Sequence, residues 1–166
     1  MQPVSHAFKE SAELALVNAT QRRALGKMSH EFGAKRAKAV ARLPEFDALR
    51  DQAKTIKDHV LENLDFYLET FEEKVTASGG HVHWCRTPQE ARDAVLALCR
   101  DAGAGTVAKG KSMITEEIGL NAYLEANGIT PVETDLGEYI LQLRGETPSH
   151  ITAPAVHLNK EQIADA

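Results

Sequence analysis

The second half of the chain alternates short runs rich in β-branched residues with runs of helical periodicity. From residue 79 onward four stretches predict strands: GHVHW at 80–84, TVAK at 106–109, ITPVET at 129–134 and HITAPA at 150–155. The intervening spacing predicts helices at 88–101, 115–126 and 136–143, and a last helix that opens in NKEQIADA. Strands and helices that alternate at this spacing are typical of right-handed βαβ units. We therefore expect an α/β fold with a mostly parallel sheet and flanking helices.

Capping signals mark the starts of two of these helices. TPQE places Thr87 at the N-cap, Pro88 at the first helical position and Glu90 three residues after the cap. DLGE repeats the pattern with Asp135 and Glu138. A short polar cap followed by an acidic residue in the first turn satisfies backbone N–H groups that would otherwise lack partners. Both patterns therefore predict helix starts.

The first half of the chain predicts two long helices in front of the α/β region. Between residues 44 and 79, nine apolar residues recur at steps of three and four: Phe46, Leu49, Ala53, Ile56, Val60, Leu64, Tyr67, Phe71 and Val75. This spacing places them on one face of a helix roughly 45 Å long, and a less regular stripe predicts an earlier helix at 11–40. We expect residues 1–78 to form a helical region packed on an α/β domain at 79–166. A dimerisation or partner surface on the long helix is the alternative that the sequence leaves open.

The stretch GTVAKGKS at 105–112 matches the nucleotide-binding pattern G-x-x-x-x-G-K-[ST]. A phosphate-binding loop of this type needs a strand that runs into it and a helix that starts at the Lys-Ser pair. Here the four residues between Gly105 and Gly110 are themselves needed as a strand, and a helix end precedes Gly105. A loop at this place would leave a buried run without ladder partners. The sequence therefore predicts that this stretch does not bind a nucleotide.

Polar residues that follow the predicted strands indicate a different site. In open parallel sheets, ligands bind beyond the carboxyl ends of the strands. The residues found there are Lys111, Ser112, Asp135, Glu138 and His157. A cation, a hydroxyl, two carboxylates and an imidazole suit a small anionic metabolite, whose carboxylate or phosphate would pair with Lys111. Plain helix capping is an equally good interpretation of the two acidic residues.

Charge and composition exclude several classes of partner. Residues 76–166 carry 7 basic and 12 acidic side chains and account for the whole net charge of −5. An acidic half without a run of Lys or Arg is a poor footprint for nucleic acid. No apolar run approaches the ~20 residues that span a bilayer, and the first residues do not resemble a secretory signal. We expect a cytoplasmic protein, which suits two cysteines without a partner motif.

A metal site is the competing hypothesis for the predicted strand at 80–84. His81, His83 and Cys85 alternate and would share one face of that strand. Such a set could begin a site for a soft metal. A structural zinc ion needs four ligands, however, and no matching pair of cysteines occurs elsewhere in the sequence. We therefore expect no metal at these residues.

Three runs of the sequence, GGHVHW, KGKSMITEEIGLN and VETDLGEYILQLRGETPSHITAPAVH, resemble the LUD (lactate-utilization domain) family. The resemblance covers nearly the whole chain and includes LPEFDALRDQAKTIKDHVLENLD in the long helix. The matched positions of the second and third runs include Lys109, Lys111, Ser112, Met113, Glu116, Glu117, Asn121, Asp135, Leu136, Gly137, Glu138, Gln142, Pro148, Ser149, His150, Pro154 and His157. Relatives usually have Ser at the position of Gly110, which makes the nucleotide pattern an accident of one substitution, and they usually lack a cysteine at the position of Cys85.

The resemblance implies a sheet fold of the CoA-transferase and ribose-phosphate-isomerase type. It also implies a role as the N-terminal domain of the iron–sulfur subunit in a bacterial three-protein system that oxidises L-lactate to pyruvate. The iron–sulfur clusters would lie in a further C-terminal domain, so we expect no cofactor in this part of the protein. The implied partners are the other subunits of the system and a small organic acid.

A stand-alone enzyme is the alternative within the same fold type. In a CoA transferase or a sugar-phosphate isomerase, a carboxylate such as Glu117 or Glu138 would act as nucleophile or base. The residues do not separate this function from a non-redox binding domain. We therefore expect the ligand to contact Lys111, Ser112, Glu117, Asp135, Glu138 and His157, and we assign no catalytic residue.

Overall fold

The computed structural model describes residues 5–148 and 153–166 of the chain. After a 3₁₀ turn at Ser5–Ala7, the helices before residue 85 are α1 (Phe8–Val17), α2 (Ala19–Val40), α3 (Phe46–Glu62) and α4 (Leu64–Ala77). The later elements are α5 (Pro88–Asp101), β1 (Thr106–Lys109), α6 (Met113–Glu117), α7 (Leu120–Ala126), β2 (Thr130–Glu133), α8 (Leu136–Arg144) and α9 (Lys160–Ala164). The α/β fold class and the preceding helices are thereby confirmed.

The chain forms two compact units. One contains the chain up to Ser29 together with the residues from Cys85 onward, and the other is His30–Trp84. The predicted packing of a helical region at 1–78 on a domain at 79–166 stays a prediction. All residues of the candidate site belong to the first unit.

Each of the two long helices predicted before residue 79 is interrupted at an asparagine. Asn18 separates α1 from α2, and its Oδ1 accepts a hydrogen bond of 3.0 Å from the backbone N–H of Gln21. Asn63 separates α3 from α4, with φ −124° and a hydrogen bond of 2.8 Å from Nδ2 to the carbonyl of His59. Asparagine side chains compete with the helical backbone for hydrogen bonds. The apolar periodicity continues across both breaks, so it did not reveal them.

Helix α5 starts and ends where the sequence predicts. Thr87 Oγ1 accepts a hydrogen bond of 3.2 Å from the backbone N–H of Glu90. The Glu90 carboxylate accepts from the N–H of Arg86 at 2.6 Å rather than from that of Thr87, so the reciprocal half of the capping box is shifted by one residue. Leu96 and Cys99 on the inner face of α5 are buried. The helix is therefore fixed at its start by hydrogen bonds and along its length by the core.

Strands β1 and β2 pair in parallel, as predicted. The register runs from Thr106 opposite Thr130 to Lys109 opposite Glu133. The main core lies against this pair; its buried residues are Leu96, Cys99, Leu120, Leu124 and Ile129. A second cluster joins Leu141 of α8 to Ala155 and Leu158. Because the strands are parallel and in register, their last residues meet at one edge of the sheet, where the predicted ligand site begins.

The strand predicted at 80–84 is wrong. Gly79 has φ +83°, and the N–H of Gly80 donates to the carbonyl of Val75 at 2.9 Å. These two glycines end α4 in a hydrogen-bonded turn of the type that closes many helices. Residues 81–85 have no regular secondary structure. Alternating residue types favour a strand, but a strand also needs a partner for its backbone groups.

Two further predictions are only partly correct. The helix predicted at 115–126 is two helices, α6 and α7, because Gly119 adopts a left-handed conformation with φ +66° between them. Residues 150–152 of the strand predicted at 150–155 lie outside the described part of the chain. Of its remaining residues, Pro154 and Ala155 belong to a turn over 154–157. Ala155 has φ +59°, which is not an extended strand conformation.

Candidate functional site

A buried lysine joins the two strand ends. Lys109 Nζ lies 2.6 Å from Glu133 Oε1, 2.9 Å from Glu116 Oε1 and 2.9 Å from Asn121 Oδ1. Asn121 also donates from Nδ2 to Glu133 Oε1 at 3.0 Å. The side chains of Lys109 and Glu133 are 7% and 5% exposed. An ammonium group has three N–H donors, so this network satisfies all of them.

Both charged ends of this network keep their charge. Burial alone lowers the pKa of Lys109, but hydrogen bonds and charge interactions with Glu133 and Glu116 outweigh it, so the net pKa is raised. Burial alone raises the pKa of Glu133, but hydrogen bonds from Lys109 and Asn121 outweigh it, so the net pKa is lowered. Lys109 is therefore a cation and not a nucleophilic amine at neutral pH. It fixes the position of two carboxylates at the sheet edge.

Lys111 follows in a different environment. It has φ +47°, a left-handed conformation that costs a residue with a Cβ about 1–2 kcal/mol. Its backbone N–H donates to Glu138 Oε2 at 3.3 Å, and its Nζ lies 3.1 Å from Asp135 Oδ2. The side chain is 77% exposed. The hydrogen bond from Lys111 lowers the pKa of Asp135, to which the N–H groups of Glu138 and Gly137 also contribute.

The Lys111 side chain borders a cleft of about 200 Å³. Its lining residues are Lys111, Met113, Asp135, Glu138 and Pro154. Pro154 reaches this position because Gly137 has no side chain: a Cβ on Gly137 would lie 3.0 Å from Pro154 Cβ and carbonyl oxygen. Asp135 Oδ1 accepts from the N–H of Gly137 at 3.1 Å and so starts α8. The predicted cap and the predicted site residue are the same side chain.

A smaller inner cavity of about 60 Å³ lies beside the cleft. It is lined by Glu116, Asn121, Glu133, Glu138, Gln142, Glu146 and Pro148. Glu138, whose residue exposure is 5%, lines both the cleft and the inner cavity. Glu133 Oε2 has no hydrogen-bond partner among the described residues. The inner cavity is therefore rich in hydrogen-bond acceptors.

The structure brings together three of the six predicted site residues, Lys111, Asp135 and Glu138. Ser112 caps α6, where its hydroxyl accepts from the N–H of Thr115 at 3.4 Å. Glu117 is exposed on α6 and is not among the residues that line the cleft.

His157 is not among the residues that line the cleft or the inner cavity. Its Nε2 is 3.0 Å from Glu146 Oε2. A hydrogen bond from His157, together with Arg144, lowers the pKa of Glu146 in spite of the burial that raises it. Binding of a ligand by any of the six residues stays a prediction.

Sequence reasoning missed the buried network because it searched only beyond the strand ends. Lys109 and Glu133 are the last residues of β1 and β2. A signal was present in the sequence: each strand ends in a charged residue, and the two charges are opposite. In a parallel pair that is in register, such residues become neighbours.

The described residues contain no group of three or more His, Cys, Asp or Glu side chains placed to hold a metal ion. His81, His83 and Cys85 are all exposed. None of the helices in the described residues is both long enough and apolar enough to cross a membrane.

A parallel strand pair with a polar cleft at its carboxyl ends is typical of open α/β sheets. The chain belongs to the LUD domain family, whose sequence pattern matches residues 68–166. No solved structure matches the chain significantly.

The curated relatives are longer proteins. The chain is 44% identical over 156 residues to the uncharacterized electron transport protein YkgF of Escherichia coli, which covers 94% of this chain and 33% of that protein. It is 43% identical over 160 residues to lactate utilization protein B of Bacillus subtilis, with 96% and 33% covered. The corresponding protein of Bacillus licheniformis is 44% identical over 159 residues, with 95% and 33% covered. The chain thus spans about a third of the length of these relatives.

Proposed function

We propose that the chain is the N-terminal LUD domain of an iron–sulfur subunit in a bacterial complex that oxidises L-lactate to pyruvate. The similarity to proteins named for lactate utilization and for electron transport supports this role. The iron–sulfur clusters would be bound outside these 166 residues, since Cys85 and Cys99 are two thiols where a ferredoxin-type cluster needs four. We place the protein in the cytoplasm, in keeping with two free cysteines.

We further propose that the Lys111 cleft binds a small organic acid. The observation that carries this proposal is the exposed Lys111 ammonium at the carboxyl end of β1, held in a left-handed turn beside a cleft of about 200 Å³. Strain of this kind at a strand end is more common at ligand sites than elsewhere. An ammonium on a flexible stem can leave one carboxylate partner for another. The ligand carboxylate would take over from Asp135 as the partner of Lys111 Nζ.

The cleft charges set an upper limit on affinity. Asp135 and Glu138 oppose an incoming anion, and the exposed ion pair of Lys111 with Asp135 must be broken first. Exposed ion pairs are worth about 0–1 kcal/mol, so breaking this one is a small obstacle. We expect weak binding, with dissociation constants on the order of 0.1–10 mM, equivalent to roughly 3–5 kcal/mol. Such values suit a metabolite that must also leave the site.

Binding of L-lactate to the isolated chain tests this proposal. The parent protein and Lys111→Ala are titrated with sodium L-lactate and followed by isothermal calorimetry or amide chemical shifts. Lys160→Ala is the matched control, because Lys160 is an exposed lysine that pairs with Glu161 away from the cleft. We expect the parent and Lys160→Ala to bind alike and Lys111→Ala to bind at least tenfold more weakly. Equal binding by all three proteins would show that the Lys111 cleft is not the binding site for L-lactate.

The proposed role in a complex is tested separately in the full-length protein. The gene product is purified together with its neighbouring gene products, and the iron content and visible absorption spectrum are measured. Iron and a charge-transfer band in the full-length protein, and neither in the 166-residue chain, are the expected result. A full-length protein without iron would contradict the assignment as an iron–sulfur subunit.

A stand-alone CoA transferase or sugar-phosphate isomerase is the alternative function. Of the two carboxylates considered for it, Glu138 lies at the cleft and Glu117 does not line it. Assays for CoA transfer and for pentose-phosphate isomerisation discriminate this alternative from a binding domain. Turnover that is abolished in Glu138→Gln and retained in Glu117→Gln would favour the enzyme.

A further inference from the structure

The described residues that line the inner cavity beside the Lys111 cleft are rich in carboxylate acceptors. Its four carboxylates belong to Glu116, Glu133, Glu138 and Glu146. Lys109 binds two of them, and Arg144 Nε binds Glu146 at 2.7 Å. His157 Nε2 lies 3.0 Å from Glu146 Oε2, and the backbone N–H of Lys111 donates to Glu138 Oε2 at 3.3 Å. A carboxylate accepts hydrogen bonds and, when ionised, donates none.

The amide donors of the cavity are directed to protein atoms. Asn121 Nδ2 donates to Glu133 Oε1 at 3.0 Å, and Gln142 Nε2 donates to the carbonyl of Pro131 at 2.8 Å. Gln142 Oε1 in turn accepts from the N–H of Glu133 at 2.9 Å. Both amide planes are thereby fixed.

Glu133 itself points to a missing donor. The side chain of Glu133 is only 5% exposed. Its Oε2 has no hydrogen-bond partner within the described residues. A buried polar atom without a partner destabilises the folded protein, because it has lost its hydrogen bonds to water. Native proteins remove that cost with a water molecule or a ligand group. The group that completes Glu133 must carry an N–H or O–H.

We propose that the inner cavity selects acids that carry a hydrogen-bond donor on the carbon next to the carboxylate, and that Glu138 and Glu133 determine this specificity. This inference rests on the proposed binding of an organic acid at Lys111. Glu138 lines both spaces, so a ligand whose carboxylate meets Lys111 places its C2 substituent toward the inner cavity. The volume of about 60 Å³ admits a hydroxyl or ammonium group and a few water molecules.

The chemistry of the C2 substituent decides which acids fit. A 2-hydroxy acid offers an O–H and a 2-amino acid offers an ammonium group, and carboxylates accept hydrogen bonds from both. A 2-oxo acid offers only carbonyl lone pairs, which face the carboxylate lone pairs and are repelled. A site built to bind a substrate O–H or N–H rejects an analogue without it strongly, because the buried polar groups are left unpaired.

Four acids of nearly equal size test the inference: L-lactate, L-alanine, pyruvate and propionate. Dissociation constants are measured by calorimetry at pH 7 for the parent, Lys111→Ala, Glu138→Gln and the control Glu125→Gln, which removes an exposed carboxylate on α7 that lines neither the cleft nor the inner cavity. In the parent and the control, we expect L-lactate or L-alanine to bind at least about tenfold more tightly than pyruvate and propionate. The comparison of L-lactate with L-alanine distinguishes the hydroxyl from the ammonium group.

Glu138→Gln separates a specificity role from a structural one. The amide of Gln can donate to a carbonyl, so we expect the preference to fall below about threefold, by weaker binding of the donor-bearing acid and unchanged or tighter binding of pyruvate. A structural role would weaken all four acids by one common factor and would overturn the inference. If Glu138→Gln fails to fold in a thermal melt, Glu138→Asp is used, which keeps the charge and withdraws it by one methylene. The same loss of preference is then expected.

The outcomes also separate this inference from the proposed function. If all four acids bind equally and Lys111→Ala weakens them all, the organic-acid site stands and the selection by Glu138 and Glu133 is wrong. If none of the acids binds the parent, the organic-acid site fails and the inference fails with it. A preference for pyruvate in the parent overturns the inference alone.

Discussion

Lys109 and Lys111 are two residues apart, yet they lie in opposite environments. Lys109 is 7% exposed and bonded to Glu133, Glu116 and Asn121. Lys111 is 77% exposed, and the ion pair recorded for its ammonium is with Asp135. Gly110 separates them, and Lys111 itself adopts the left-handed conformation that follows the strand. The first lysine holds the sheet edge together, and the second can exchange one partner for another.

This difference shows how burial decides the use of a charged side chain. A buried ammonium must keep a full set of acceptors, since losing them would leave an unpaired charge in the interior. An exposed ammonium is hydrated, and its ion pairs are weak enough to be replaced. The same residue type therefore supports structure at one position and ligand binding at the other. The predictions below test each half of this contrast.

The largest expected effect is on stability, in Lys109→Met. The substitution keeps most of the side-chain volume but leaves Glu133 and Glu116 without their common cation. Removing one partner of a buried ion pair costs about 3–5 kcal/mol. We expect the free energy of unfolding, measured with urea, to fall by that amount. Lys111→Met is the control and should change it by no more than about 0.5 kcal/mol. Equal effects of the two substitutions on the free energy of unfolding would contradict the different roles assigned to the two lysines.

A smaller effect on stability is expected from pH. Because the pKa of Glu133 is lowered on folding, its contribution is present above the ordinary value of 4.5 and is lost as the pH falls through the lowered folded value. Because the pKa of Lys109 is raised, its contribution is complete below 10.5 and is lost only as the pH rises through the raised folded value. Stability should therefore be flat from about pH 6 to 9 and fall on the acid side below 4.5.

Thermal melts between pH 2 and pH 9 measure this dependence. In Glu133→Gln the carboxylate is gone, so the melting temperature should be lower at neutral pH and should depend less on pH below 4.5. Glu117→Gln, on the exposed face of α6, should follow the parent curve. If the melting temperature of Glu133→Gln falls below pH 4.5 as steeply as that of the parent, other carboxylates cause the acid sensitivity.

Lys111→Ala should weaken ligand binding and leave stability unchanged, whereas Lys109→Met mainly lowers stability. A charge-assisted hydrogen bond to a ligand carboxylate contributes about 1.5–3 kcal/mol, so L-lactate binding should weaken by that amount. The free energy of unfolding should stay within about 0.5 kcal/mol of the parent value. Calorimetry and urea melts on the same samples check both halves. Unfolding of Lys111→Ala would make Lys111 part of the scaffold.

Much of the fold around the two lysines could be predicted from local sequence. Both strands of the sheet, helix α5 and the cap at Asp135 follow from patterns that act over a few residues. The residues after the strand ends gave Lys111, Asp135 and Glu138, which the fold brings to one cleft. These predictions succeeded because each depends on hydrogen bonds or apolar faces within one element.

The parts that failed depend on contacts between elements. The pairing of Lys109 with Glu133 needs the register of two strands, which lies outside either strand's own sequence. GHVHW alternates as a strand does, but Gly80 is used to end α4. His157 follows a stretch that was expected to be a strand, and it contacts Glu146 instead of the cleft. Local pattern alone decides none of these three outcomes.

The smallest expected effect concerns nucleotides: the chain should not bind ATP through Lys111. The residues between Gly105 and Gly110 form β1, whose backbone groups pair with β2. A phosphate-binding loop needs those N–H groups free to surround phosphates. The Lys111 ammonium also borders a cleft with two carboxylates, Asp135 and Glu138, which would repel a triphosphate.

A fluorescent ATP analogue with magnesium, titrated into the parent and Lys111→Ala, measures this. We expect no saturable binding to either protein at micromolar concentrations, while L-lactate binding still separates the two proteins. Gly110→Ser removes the nucleotide pattern and should leave L-lactate binding within about twofold of the parent; its Cβ would lie 3.1 Å from Thr134 Oγ1, a hydroxyl at the end of a side chain. Micromolar ATP binding that is lost in both variants would show that β1 opens to form a phosphate loop. In that case Lys111 would be a phosphate ligand, and its contrast with Lys109 would need another explanation.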